Sequence, residues 1–392
     1  MEQQQLTNPV SFNGRGGEFF GIWIVNILLS IITLGIYSAW AKVRTKRYFY
    51  GNTHIDGDNF EYHAQPIQIL KGRLVALAVV LAWSISSNFF PVASMALLLV
   101  FYAALPWLLW SNARFDAAMT SYRNVHFSFT APLKQAYVTL LGRGVGALLI
   151  MMTYIGIIIA VSSVSVVTAV LMGAGAFVLM SVIYAWVIAG AHQFFTNGYQ
   201  YGDWKFSADL KLGFFVKLYL KALLMGVVAA LVFLLIMFFG LMGSLDMTQV
   251  LNGDFSSLSE NLTGAWLMFA AYGVMIVLSI TLTAYTTTCI RNYIFSQLAA
   301  KHEEQADVEY QFVSKLTVSS YVWLVLSNFL LQVVTLGIAR PWVMVRTSRY
   351  LADRTAVIGD MSYLVARNEA SDVKSAVSDE VAQAFDLGIG IS

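Results

Sequence analysis

Residues 33–48 read TLGIYSAWAKVRTKRY, and residues 335–350, near the other end of the chain, read TLGIARPWVMVRTSRY. A constant offset of 302 residues relates the two stretches. Under this offset Trp40 falls on Trp342, and an Arg-x2-Arg-Tyr sequence follows in both copies. Each copy comes directly after an uncharged apolar stretch. The pattern predicts an internally repeated membrane protein.

The composition also indicates a membrane protein. The chain is 58% hydrophobic and 12% charged, whereas soluble domains carry roughly 25% charged residues. A helix needs about 20 apolar residues to cross a bilayer. Four uncharged windows are long enough, the first two for a pair of spans each: 74–110, 144–191, 222–245 and 261–290. The sequence therefore predicts six transmembrane helices, and it leaves two shorter apolar segments, 19–41 and 316–339.

Positive charge is confined to the connectors between the apolar windows. All 24 Lys and Arg residues lie in these connectors or in the terminal segments 1–18 and 340–392, and the loop 246–260 carries Asp246, Asp254 and Glu260 but no basic residue. Basic residues stay on the cytoplasmic side of a membrane. We therefore expect the basic connectors in the cytoplasm and the loop 246–260 outside.

The connectors share a second pattern, in which an aromatic residue, any residue and a second aromatic residue precede an alanine. It begins at Phe60, Phe127 and Trp204, with weaker forms at Val10 and Tyr310. Such alternation predicts a short strand with one apolar face. We interpret each motif as the start of a unit made of a strand, an interfacial helix, a membrane hairpin and a basic-aromatic exit helix.

The predicted organisation is a repeated transmembrane domain, 1–367, followed by a cytoplasmic amphipathic tail, 368–392. The five predicted units are about 10–58, 60–125, 127–202, 204–308 and 310–367. The expected fold class is an all-α polytopic membrane protein. It has three transmembrane hairpins, two terminal short or re-entrant segments and short cytoplasmic β-type connectors.

The segments 19–41 and 316–339 admit two interpretations. If every unit begins and ends in the cytoplasm, each segment enters the membrane and returns, and the glycine of its Leu-Gly-Ile sequence can break the helix. A buried re-entrant turn is compatible with a membrane. Alternatively, each segment is a single tilted span, which would leave the N-terminal residues 1–18 and the C-terminal arginines outside.

The exit helices contain the candidate binding residues. Two sets of four residues share the spacing i, i+4, i+7, i+8 and hence one helix face: Trp40, Arg44, Arg47 and Tyr48, and Trp342, Arg346, Arg349 and Tyr350. One interpretation is an ordinary interfacial anchor, since indole and phenol rings favour the headgroup layer and guanidinium groups pair with lipid phosphates. The other is a specific site for an anionic lipid or another phosphate-bearing ligand.

Each copy of the repeat also places an asparagine in its apolar segment, Asn26 and Asn328. An amide inside a membrane needs a hydrogen-bond partner. We expect a structural bond to a neighbouring helix, with contact to a substrate as the alternative.

Residues 16–63 carry a family resemblance. Gly-Glu-Phe-Phe precedes Ile-Trp, and TLGIYSAWAK, RYFYGNT and Phe-x-Tyr-His follow. In these motifs the chain resembles the YjgN-like family of bacterial inner-membrane proteins, along most of its length. The resemblance implies a bacterial inner (plasma) membrane location with 246–260 periplasmic. The family has no assigned activity, so it implies no catalytic residue. The C-terminal copy departs from the pattern, with ADRT at 352–355 in place of YGNT.

The residues suggest no catalytic, metal or cofactor site. The apolar windows lack the ionisable residues typical of an ion-coupled transporter, and the spacing of His54 and His63 fits no familiar metal ligand set. We expect a non-enzymatic inner-membrane protein whose basic-aromatic cytoplasmic collar contacts anionic lipid headgroups. The alternative is a transporter or channel for a small polar or anionic solute, and a membrane enzyme acting on lipid is a third class. No nucleic-acid partner is expected, and protein partners and oligomeric state stay open.

Overall fold

The computed structural model describes residues 6–244, 262–302 and 309–364, and these residues form ten strands and ten α-helices. The strands are β1 Thr7–Phe12, β2 Thr53–Ile55, β3 Asp58–Tyr62, β4 Thr120–Tyr122, β5 Val125–Phe129, β6 Tyr199–Tyr201, β7 Trp204–Ser207, β8 Ala299–His302, β9 Glu309–Ser314 and β10 Thr355–Ile358. The helices are α1 Gly16–Ile32, α2 Ser38–Gly51, α3 Pro66–Phe89, α4 Pro91–Ala118, α5 Leu133–Ser162, α6 Val166–Gly198, α7 Leu212–Ser244, α8 Leu262–Gln297, α9 Val318–Val334 and α10 Arg340–Ala352. The loop 246–260 and the tail 368–392 lie outside the described residues.

The ten strands close into one antiparallel barrel. Each strand pairs with its neighbours in chain order, and β1 completes the ring by pairing with both β2 and β10. The expected all-α fold class is therefore wrong. The sequence predicts a short strand at each motif, but strands of three to six residues are marginal in isolation. In the barrel each strand is stabilised by pairing with two neighbours, one in its own unit and one in the adjacent unit.

The same strand register recurs inside all five units, where the first strand of the unit pairs with its last strand. The matched residue pairs are Val10↔Ile55, Phe60↔Tyr122, Phe127↔Tyr201, Phe206↔Ala300 and Phe312↔Val357. Phe206, rather than Trp204, is thus the equivalent of Phe60 and Phe127, which shifts the third motif by two residues. The division of the chain into five units stays a prediction.

Aromatic side chains fill the barrel lumen. Tyr122, Tyr201, Trp204 and Tyr310 are buried there. Ring centroids of adjacent units lie 5.0 Å apart for Trp204 and Tyr310 and 6.4 Å apart for Phe127 and Phe206. The lumen is therefore a hydrophobic core, in which the side chains of small barrels commonly pack.

Six helices, α3 to α8, are long and apolar enough to cross a membrane, which confirms the predicted number. They form three consecutive pairs, and each pair begins and ends at the barrel. Pro91 starts the second helix of the first pair, where its fixed φ is favourable and its missing N–H costs nothing. Ser165 caps α6 by accepting a hydrogen bond from the backbone N–H of Thr168.

The two short apolar segments turn back to the barrel. In each, a helix of 17 residues ends at Thr33 or Thr335, and Leu-Gly follows with positive φ, 50° and 91° in the first copy and 49° and 85° in the second. Glycine adopts this conformation without strain. Because β1 and β2 flank the first segment and pair with each other, the chain must return, which favours the returning arrangement over a single span. The turn residues Leu34 and Leu336 are 94% and 92% exposed.

The last helix of each unit packs against the first helix of the next. The contacts are α2 with α3, α4 with the start of α5, α6 with α7, α8 with α9, and α10 with α1. The contact between α10 and α1 joins the fifth unit to the first, and we call it the closing seam.

Candidate functional site

A buried asparagine accepts a hydrogen bond from an arginine in both copies of the repeat. The Nη1 of Arg44 lies 3.3 Å from Oδ1 of Asn26, and the Nη1 of Arg346 lies 3.1 Å from Oδ1 of Asn328. The Nδ2 of Asn328 also donates to Thr347, whereas Nδ2 of Asn26 is buried without a partner. Each asparagine thus binds the helix that returns from the membrane.

The second arginine of each set binds backbone carbonyls of the next unit. Arg47 donates from Nε to the carbonyl of Tyr62 and from Nη2 to that of Ala64, both at 3.2 Å. Arg349 donates from Nη2 to the carbonyl of Gly14, at 2.8 Å. The strand register makes Gly14 the equivalent of Ala64. Both arginines therefore join consecutive units, and Arg349 does so across the closing seam.

The aromatic members of the two sets have different neighbours. Trp40 stacks on Tyr37 at 6.1 Å, whereas Trp342 contacts Phe20 at 4.9 Å and lies against Gly16. A Cβ atom on Gly16 would approach Cδ1 of Trp342 to 2.4 Å, so only glycine leaves room for this indole.

The tyrosines occupy equivalent places. The hydroxyl of Tyr48 accepts a hydrogen bond from the backbone N–H of Arg15 at 2.7 Å and lies 3.4 Å from a carboxylate oxygen of Glu18. The hydroxyl of Tyr350 instead bonds to the hydroxyl of Ser320. Since Glu18 and Ser320 match under the 302-residue offset, the same position carries a charge in one copy and none in the other.

A cavity of about 530 Å³ lies at the closing seam, between α9, α10 and the start of α1. We call it the seam pocket. Its lining residues are Gly16, Ser320, Trp323, Leu324, Trp342, Val345, Arg346, Arg349, Tyr350, Asp353 and Arg354. All four predicted residues of the C-terminal set line it, and none of the N-terminal set does. Its volume falls within the usual range of roughly 300–1,000 Å³ for ligand sites.

Three guanidinium groups and one carboxylate, that of Asp353, line the seam pocket. Arg346 and Arg349 are exposed and each makes one hydrogen bond within the described residues. Arg354 lies over the ring of Tyr350, 3.7 Å from its centroid. Because a guanidinium carries five N–H donors, most of those on Arg346 and Arg349 have no protein acceptor there. The pocket is suited to an anion with several acceptor oxygens.

Sequence reasoning missed Ser320, Trp323 and Arg354 as pocket residues. Ser320 and Trp323 belong to no motif, because Glu18 and Gly21 occupy these positions in the first copy. Arg354 replaces Asn52 in the segment that departs from the family pattern. That departure was the only available signal.

The acidic residues near His54 and His63 have a structural role. Asp56 and Asp58 accept hydrogen bonds from Arg123 at 2.8 and 2.5 Å, which joins the first two hairpins. Asp58 and Asp56 raise the pKa of the Arg123 guanidinium against the opposing effect of its burial. Across the described ranges, no group of three or more His, Cys, Asp or Glu residues could hold a metal ion.

Comparisons with known proteins place the chain among inner-membrane proteins. Residues 7–384 match the family described as "Bacterial protein of unknown function (DUF898)". The chain is 26% identical over 376 residues to Inner membrane protein YjgN of Salmonella typhimurium, covering 93% of this chain and 92% of the relative. It is 26% identical over 370 residues to that of Escherichia coli K12, covering 91% and 90%. No solved structure matches the chain significantly. The resemblance to YjgN-like proteins is thereby confirmed.

Proposed function

We propose that this chain, which belongs to the DUF898 family of bacterial proteins, is non-enzymatic and holds a phosphate-bearing anionic lipid headgroup in the seam pocket. It is a multi-pass protein of the inner membrane, since its relatives are inner membrane proteins and six of its helices could span a bilayer. The observation that carries the proposal is the convergence of Arg346, Arg349 and Arg354 on one cavity.

The place of the cavity in the fold supports a lipid ligand. It lies at the barrel end of α9 and α10, whereas the opposite end of these helices carries the exposed apolar turn around Leu336. A membrane covering that turn would bring its headgroup layer toward the seam pocket. Trp323 and Trp342 are 67% and 42% exposed beside the cavity, and indole rings favour this layer.

The charge distribution supports an anionic headgroup over a zwitterionic one. Each basic residue near an anionic surface contributes about 1 kcal/mol of attraction. The pocket contributes three arginines against the single carboxylate of Asp353. By the positive-inside rule we place the barrel and the pocket on the cytoplasmic side.

The packed lumen also bears on the alternative of a transporter or channel. A solute path along the barrel axis would meet the buried rings of Trp204 and Tyr310. No contact in the described residues marks another path, so we propose the lipid-binding function as the better supported of the two.

Native mass spectrometry of the purified protein tests the proposal. With cardiolipin and phosphatidylcholine offered at equal concentration, the wild type should retain cardiolipin preferentially. Arg354→Gln is the most informative variant, because within the described residues the Arg354 side chain contacts Tyr350 of its own helix end and makes no other hydrogen bond. It should reduce cardiolipin retention without loss of thermal stability.

Arg346→Gln and Arg44→Gln form a matched pair. Both remove the arginine partner of a buried asparagine, but only Arg346 lines the seam pocket. Arg346→Gln should therefore lower the cardiolipin preference more than Arg44→Gln. Equal retention of both lipids by the wild type would refute the proposal, and an undiminished preference in Arg354→Gln and Arg346→Gln would move the site elsewhere.

A further inference from the structure

We infer that Ser320 sets the charge of the seam pocket and thereby restricts phosphate binding to the C-terminal copy of the repeat. This inference rests on the proposed function, and it names the residue that determines specificity. The ligand is a phosphate group with at least two oxygens that are free to accept hydrogen bonds. It belongs either to a lipid headgroup or to a compound free in solution.

The first argument is the equivalence of two contacts. Glu18 and Ser320 occupy the same position of the repeat, and each touches the hydroxyl of the equivalent tyrosine, Tyr48 or Tyr350. The local backbone is also shared, since both residues lie in the first two turns of 17-residue helices that follow strands β1 and β9. A carboxylate at this place in the second copy would face the cavity that Ser320 lines.

The second argument concerns the first arginine of each set, Arg44 or Arg346. Arg44 donates to the amide oxygen of Asn26 and, at 3.1 Å, to the hydroxyl of Tyr37. The residue matching Tyr37 in the second copy is Ala339, and within the described residues the Arg346 side chain bonds to Asn328 alone. The first copy thus satisfies more of its guanidinium donors internally.

The third argument is the shape of the pocket wall. Gly16, at the start of α1, forms part of the wall and has no side chain. By the strand register its equivalent beside the first copy is Pro66, the first residue of α3. At the closing seam the indole of Trp342 therefore lies directly against this glycine, whereas the seam between units one and two carries a proline ring at the equivalent position.

Together these differences make the second copy an anion-binding site, whereas the first copy only connects two consecutive units. Guanidinium groups bind phosphate oxygens in a planar, bidentate geometry, and a serine hydroxyl can donate a further hydrogen bond. A glutamate in place of Ser320 would add a like charge beside the phosphate and offer an internal partner to the arginines.

The decisive experiment compares Ser320→Glu with Ser320→Gln, which have the same size and differ in charge. The full-length protein is placed in nanodiscs containing phosphatidylcholine with or without cardiolipin. In a second arm, inorganic phosphate is titrated against the detergent-solubilised protein by calorimetry. Ser320→Glu should weaken binding of the preferred ligand by about tenfold, and Ser320→Gln by no more than about threefold.

Ser320→Glu is expected to fold, because Glu18 occupies the same position in the first copy, and an unchanged thermal midpoint checks this. Ala339→Tyr is an independent variant that gives Arg346 the acceptor that Arg44 has, and it should also weaken binding. Because Ala339 is buried, this variant is compared only if its thermal midpoint matches that of the wild type. Cardiolipin binding without phosphate binding identifies a headgroup site, and the reverse identifies a site for a soluble phosphate compound; both outcomes support the inference.

Two results would overturn it. One is that Ser320→Glu binds the ligand as tightly as the wild type. The other is that Ser320→Glu and Ser320→Gln lose the same amount of affinity, which would mean that the size of the side chain and not its charge determines binding. These results differ from failure of the proposed function, in which the wild type itself shows no preference for cardiolipin over phosphatidylcholine.

Discussion

The two copies of the basic-aromatic repeat have the same backbone and nearly the same sequence, but they engage different partners. In the first copy Arg44 and Arg47 each bond to two acceptors of the protein. In the second copy Arg346 and Arg349 each bond to one and line a cavity. The difference comes from residues outside the motif. The repeated motif therefore specifies a contact between consecutive units in both copies. The residues around the motif decide whether that contact region can also bind a ligand.

Replacing the arginine that joins consecutive units should give the largest difference in stability between the two copies. Arg47→Met removes two charge-assisted hydrogen bonds to carbonyls and Arg349→Met removes one. We expect losses of about 3 and about 1.5 kcal/mol in the free energy of unfolding, since such bonds contribute roughly 1.5 kcal/mol each at a partly exposed site. Thermal midpoints in detergent, followed by tryptophan fluorescence, measure the order. A larger loss for Arg349→Met would contradict the comparison.

Replacing the buried asparagines should give a smaller difference in stability between the two copies, and here the larger loss is expected in the C-terminal copy. Asn328 makes two side-chain hydrogen bonds and Asn26 makes one, with its Nδ2 unpaired. Replacement by leucine should therefore cost about 2 kcal/mol at Asn328 and about 1 kcal/mol at Asn26. The same thermal assay applies, with Thr347→Val as the control that removes only the second bond of Asn328. Equal midpoints for the two leucine variants would show that the bond to Thr347 contributes nothing.

The smallest predicted effect is a pH dependence of local stability at the seam between units one and two. Burial, together with the nearby His126 and Arg47, lowers the pKa of His63, although Glu61 acts in the opposite direction. A lowered pKa means that the folded state favours the neutral ring, so stability present above the ordinary pKa of about 6.5 is lost as pH falls below it. The equivalent residue at the closing seam is Asn13, which does not titrate.

Hydrogen exchange at pH 7.5 and 5.5, corrected for intrinsic rates, should therefore show weaker protection of β3 and β4 at the lower pH. The pairing of β1 with β10 should change less. His63→Asn places at the seam between units one and two the residue type that the closing seam carries. It should abolish the difference in protection between the two pH values. Persistence of the effect in that variant would assign it to another group.

Much of the helical architecture could be predicted because apolar length is a local property. The six spans, the start of α4 at Pro91 and the turn at Asp56-Gly57, with φ of 49° and 85°, follow from residues adjacent in sequence. The strands were also indicated by their alternation. Their closure into a barrel was not, because the first strand of a unit pairs with its last strand about 40 or more residues away, and β1 pairs with β10 about 350 residues away. No single strand carries that information.

The candidate site was predictable only in part. The sequence singled out Arg346 and Arg349 because the motif repeats, yet it gave equal weight to Arg44 and Arg47. What separates the two sets is the cavity, and this depends on Gly16, which comes from the opposite end of the chain. Ring closure brings it there, so a sequence interpretation without the barrel had no means of finding it.

The pairing of β1 with β10 has a consequence for biogenesis. Thr7 pairs with Ile358, so β1 is synthesised about 350 residues before the strand that covers its second edge. An unpaired strand edge is a template for aggregation, and contacts between distant residues form slowly. During this interval the open edge of β1 is exposed to incorrect pairing. A stop codon before residue 355 would leave two open edges on an otherwise inserted protein, which makes such a fragment a substrate for proteolytic quality control.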